Sequence, residues 1–135
     1  MPQPTETPTV AIEISPGELI DKITILEIKS ERIGDAAKLE NVRYELGLLG
    51  ATRDESLADS AELDRLESEL KSVNETLWEI EDDIRACEAA GDFGQTFVEL
   101  ARAVYRTNDR RAALKREIGA LFGSKLVEEK SYKEY

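Results

Sequence analysis

All four prolines of this chain, Pro2, Pro4, Pro8 and Pro16, lie in its first 16 residues, so residues 17 to 135 run free of the strongest helix breaker. Apolar residues spaced by three and four through that stretch predict an all-helical body. A chain of 135 residues with 41% apolar content can build one core but not two. The expected organisation is a disordered N-terminal arm over 1–9, a helical domain over 10–123 and a charged tail over 124–135. The arm is polar and Pro-rich, without the basic stretch and apolar run of a secretion signal. No segment approaches the roughly 18 apolar residues that span a bilayer. Together these features suggest a cytoplasmic protein.

Local signals divide the body into four helices. Val10, Ile12 and Ile14 alternate with Ala11, Glu13 and Ser15, a short strand-like lead. Ser15-Pro16-Gly17-Glu18 then reads as a helix start, with Ser15 as cap, Pro16 in the first position, Glu18 closing a capping box and Ile14 stapled to Leu19. This first helix is expected to end near Ile33 with Gly34 as a left-handed stop, and its wide apolar face (Leu19, Ile20, Ile23, Leu26) makes it central. A second helix is expected from Asp35 to Leu49, stopped at Gly50, with Leu39, Val42, Leu46 and Leu49 inward. From about Ser60 to Ala90, Leu63, Leu66, Leu70, Val73, Leu77, Ile80, Ile84 and Cys87 alternate by three and four, a heptad seam. Its flanks are acidic, so a parallel copy of itself would bring like charges together, and a basic partner is preferred. Gly91-Asp92 turns the chain, and a final helix from about Phe93 to Phe122 supplies that basic partner in an antiparallel hairpin. The predicted fold is therefore an all-α, four-helix bundle-like single domain with a long antiparallel hairpin of the third and fourth helices, the first packed between them.

Composition excludes several chemistries. Histidine is absent and Cys87 is the single cysteine, which removes Ser-His and Cys-His pairs, His-ligated zinc and thiolate clusters built from one chain. The formal charge of −11 is concentrated in residues 54–92, which hold 14 acidic and three basic side chains. Such a surface repels phosphate backbones and anionic membranes, so neither nucleic acid nor membrane is an expected partner. The acidic pairs Glu18 with Asp21 and Glu79 with Asp82 resemble the magnesium carboxylates of all-helical nucleotide pyrophosphohydrolases. That pattern needs pairs converging on one ion, and Glu79 and Asp82 lie off their helix's apolar seam, so no metal or other cofactor is expected.

The site-like feature lies in the last helix. Its stripe runs Phe93, Phe97, Leu100, Val104, then Asn108, Arg111, Lys115, then Ile118 and Phe122, so an amide, a guanidinium and an ammonium interrupt an apolar face. Unpaired buried charge is costly, so these groups require partners. Two are available: interior acids of the first helix, Glu27 and Glu31, or an anionic ligand held by Asn108, Arg111 and Lys115 with Arg106 nearby, for which guanidinium fork geometry is suited.

The strings ISPGELIDKITILEIK (residues 14–29) and LARAVYRTNDRRAALKREI (100–118), with LWEIEDDIR (77–85) and EEKSY (128–132), resemble a bacterial family of small proteins known as domain of unknown function 6165. The resemblance spans nearly the whole chain outside the arm. It implies a single bacterial cytoplasmic domain with an association to surface-polysaccharide synthesis, and carries over no catalytic residue, since the family has none assigned. Two functions are expected to compete: a non-catalytic interaction or scaffold module, self-associating or bound to a protein partner, and a binding protein or metal-free enzyme for an anionic metabolite. A ligand-sized cavity beside Asn108, Arg111 and Lys115, lined by a few polar groups, favours the second; a filled, dry core there favours the first.

Overall fold

The computed structural model describes residues 8–135, so most of the N-terminal arm lies outside the described residues. Four helices follow in order: α1 (Pro16–Arg32), α2 (Ala36–Ser56), α3 (Ala61–Ala90) and α4 (Gln95–Leu121). Val10 to Ser15 forms no strand, because the described residues offer it no second strand to pair with. The first three helix starts are capped by side chains, while α4 begins at Gln95, two residues later than expected, behind Gly94 with no side-chain cap. Ser15 accepts from the Glu18 amide, Asp35 from the amides of Ala37 and Lys38, and Ser60 from that of Leu63.

Two stops differ from expectation. Gly34 does not take the left-handed conformation; α1 closes on Ile33 in extended geometry, with its N–H donating to the Lys29 carbonyl. Helix α2 runs through Gly50 to Ser56, since a glycine lowers helix propensity without blocking the hydrogen-bond ladder as proline does. The Gly91 turn behaves as read: it caps α3 with φ of 66° and donates to Cys87 and Glu88 carbonyls. That reversal lays α4 antiparallel on α3, the most extensive helix pairing in the molecule.

Helix α1 is the centre, touching α2, α3 and α4. Leu19, Ile20 and Ile23 pack with Leu63, Leu66, Leu70 and Val73 of α3 and Leu114 and Ile118 of α4 as one core. Helix α2 lies on the outside of α1 with only Val42 fully buried. At roughly 1.5 Å per residue, the 30-residue α3 is about 45 Å long against about 25 Å for the 17-residue α1, so the hairpin outruns its support. Beyond Ile80 the seam residues Ile84 and Cys87 are only half-buried, because two helices without a third layer cannot enclose a seam.

Candidate functional site

Close backbone contact sets the site. A Cβ built on Gly17 would lie 2.1 Å from the Lys115 carbonyl oxygen, so only a glycine lets the first turn of α1 seat on α4. One turn further along each helix, in opposite directions, Asp21 meets Arg111. The guanidinium grips the carboxylate with both arms, Nε donating to Oδ1 at 2.9 Å and Nη2 to Oδ2 at 2.5 Å. Asp21 is 1% exposed. The Asn74 amide of α3 donates to Asp21 Oδ1 at 2.9 Å and to Thr24 Oγ1 at 3.0 Å, and the Thr24 hydroxyl donates to the Asp21 carbonyl. Burial is the largest influence on Asp21 and pushes its pKa up. The hydrogen bonds from Arg111 and Asn74, with the charges of Arg111 and Lys115, together outweigh it and hold the carboxyl below its ordinary value.

Lys115, with its side chain 10% exposed, is answered by Glu18 at 2.9 Å and by Glu128 of the C-terminal tail at 3.2 Å. Burial alone would lower its pKa, but the Glu18 and Glu128 contacts raise it overall. The partners expected for the stripe cations are thus corrected. Glu27 and Glu31 face Lys71 of α3, Glu31 at 2.6 Å and Glu27 at 3.9 Å, not Arg111 or Lys115. The Gly17 contact fixes α1 against α4 in axial position, which leaves Glu27 about 9 Å beyond Asp21 along the helix.

The expected anion set divides. Asn108 and Arg111 line one cleft of about 490 Å³ between α1, α3 and α4, walled by Ile25, Ile28, Leu77, Trp78 and Val104. Lys115 does not line it; it lines a smaller hollow under the tail, near Ser15 and Ser124. Arg106 is exposed and makes no ion pair among the described residues. Asn108 carries no side-chain hydrogen bond from a described residue, and it also borders a broader hollow of about 890 Å³ closed over by the tail. There Tyr135 donates to Asp109 at 2.5 Å and stacks edge-on against Tyr105. Leu126 and Val127 of the tail are exposed, and Glu128 and Tyr135 hold it to α4.

Sequence reasoning missed Asp21, Thr24 and Asn74 as a buried polar node. A signal existed: Gly17, Asp21, Thr24 and Ile28 step by four, three and four, a stripe in its own right, and all are buried. Of the acidic pairs, Glu18 and Asp21 are held by α4 cations and Glu79 by Arg32 at 3.5 Å. Among the described residues, no three His, Cys, Asp or Glu side chains come together as a metal site, and no helix is long and apolar enough to cross a membrane.

No curated protein and no solved structure matches this chain. A family model does match, over residues 10–135, taking in all four helices, the polar node and the tail. The chain belongs to that family, described as a family of unknown function (DUF6165).

Proposed function

We propose that this chain is a binding protein for a small organic molecule, held without a metal in the cleft beside Asn108 and Arg111. The observation that carries the reading is the cleft itself. Where the α4 stripe turns polar, the packing opens into a cleft of about 490 Å³, within the roughly 300 to 1,000 Å³ of typical ligand sites. Five apolar or aromatic side chains, Ile25, Ile28, Leu77, Trp78 and Val104, form its wall, and seven polar or charged ones, Asn74, Asn108 and Arg111 among them, supply the groups that orient a ligand. Capture of an anion by Arg111 and Lys115 acting together is disfavoured, since Asp21 occupies the Arg111 fork and Lys115 faces away from the cleft.

The test is mass spectrometry of small molecules released from the purified full-length protein, beside Val104→Phe, which narrows the cleft. A compound retained by the parent chain and lost from the variant is expected. Equal retention by both, or by neither, argues against the cleft as a binding site.

A second reading, an interaction module in a bacterial cytoplasmic setting linked to surface-polysaccharide synthesis, draws on the hairpin tip. Phe93 is 56% and Val98 45% exposed there, and Phe93 stacks edge-on against Phe97 at 5.3 Å. Clustered exposed apolar residues favour a protein contact. Sedimentation of Phe93→Ser beside the parent chain tests it: association lost in the variant supports the module, and a parent chain that stays monomeric at high concentration removes self-association.

A further inference from the structure

We infer that the cleft selects an uncharged ligand, one that lays a flat or apolar face against Trp78 and donates an O–H or N–H to the side-chain oxygen of Asn74. This rests on the cleft being the binding site.

The orientation of the Asn74 amide is fixed by its partners. A carboxylate can only accept, so the Asn74 atom that meets Asp21 Oδ1 at 2.9 Å must be the nitrogen, and the same nitrogen meets Thr24 Oγ1 at 3.0 Å. Both amide hydrogens are therefore committed to the interior. The oxygen is left, and it accepts from no described residue. It is also not sealed: among the described residues, the buried side-chain atoms without a hydrogen bond are Arg53 Nε and Glu67 Oε1, which face each other at 3.1 Å. Asn74 as a whole is 5% exposed and lines the cleft, so that oxygen reaches solvent there. A nearly buried acceptor, fixed in orientation and opening on a cavity, asks for a donor.

Charge decides the rest. Arg111 enters the cleft already neutralised by Asp21, yet Nη1 is not engaged by that pair and remains a donor. Asn108, with no bond of its own, can donate and accept. At the rim, Arg85 is bridged to Glu81 at 3.1 Å, while Lys29 and Asp82 are of opposite sign, so no net field favours an anion. An anionic ligand would also place its charge against the Asn74 oxygen, which repels it. A carboxamide, a lactam or a hydroxylated ring satisfies the set: its donor meets Asn74, its acceptor meets Arg111 or Asn108, and its face covers Trp78, Ile25 and Val104.

Trp78 is the single tryptophan, so its indole N–H signal reports on the cleft without ambiguity. The experiment titrates the ¹⁵N-labelled full-length chain with benzamide and indole-3-carboxamide, and in parallel with benzoate and indole-3-carboxylate. Each pair shares a ring; benzoate carries no donor and indole-3-carboxylate only its ring N–H, so benzamide against benzoate is the decisive comparison. The amides are expected to move the Trp78 signal and to bind at least about tenfold more tightly than the acids, the scale of leaving a buried acceptor facing a carboxylate. Asn108→Ala, which breaks no hydrogen bond of the fold, should weaken the amides severalfold with its own spectrum intact, and Asn74→Leu, where it folds, should remove the amide-over-acid preference. Acids that bind as well as the amides overturn the inference and leave the cleft a binding site of another class. A Trp78 signal that ignores all four compounds overturns both.

Discussion

At the scale of single residues, the weight falls on Gly17, Asp21 and Arg111. Gly17→Ala drives a methyl into the Lys115 carbonyl, and since both atoms belong to backbone, α1 must shift. Urea unfolding should show a loss of about 1 to 3 kcal/mol, the range for overpacking. Arg111→Met strands the Asp21 carboxylate in the core and should cost about 3 to 5 kcal/mol, whereas Arg111→Met with Asp21→Leu should cost clearly less than the two single changes summed. Additive losses would show that the two groups do not depend on each other. The pH dependence follows the same pair. Because the folded Asp21 carboxyl lies below its ordinary value of 3.8, its stabilisation is complete above that pH and is lost as pH falls below it towards the folded value. Glu27 has the opposite sign. Burial raises its pKa, Lys71 pulls it down and Glu67 raises it further, with a net rise above 4.5; the charged form therefore costs stability at neutral pH. Glu27→Gln should leave the neutral-pH melting temperature unchanged or higher, where Asp21→Asn lowers it.

Among the elements, α3 separates into two halves by what lies against them. The core residues of its first half pack on α1, while its second half meets α1 only through the Arg32–Glu79 pair and across the cleft. Leu70, fully enclosed, should lose about 2 to 5 kcal/mol on truncation to alanine, the usual cost of a core cavity. Leu77, half-buried on the wall of the cleft, should lose less than half as much, because solvent and neighbours can fill the gap. The seam pattern treats these two leucines alike; a denaturation series on both variants distinguishes them. Equal losses would mean that the cleft is closed in solution. The caps and the seam of α3 were legible because they depend on neighbours within one turn. The length of α2 was not, since a glycine within a helix is a matter of degree and the flanking contacts decided it.

For the whole molecule, the order of attachment matters more than the count of helices. Helix α1 touches the three others, while α2 touches α1 alone, with Arg53 at its end reaching Glu67 of α3 at 3.1 Å. Local opening follows the least buried element. Amide exchange at neutral pH should therefore release α2 well before the middle of α1 or the first half of α3; simultaneous exchange of all four would show a single cooperative unit. Periodicity, caps and the proline distribution were enough to predict four helices, a hairpin of the last two and a central first helix, since each depends on spacing along one chain. The polar stripe they marked on α4 includes Asn108 and Arg111, which line the cleft, and Lys115, which does not. They could not say which acid meets which cation. That depends on the axial offset between α1 and α4, set by the approach of Gly17 to the Lys115 backbone across 98 residues of chain. One helical turn of sliding exchanges every partner on the face, and only the packed tertiary structure decides where the sliding stops.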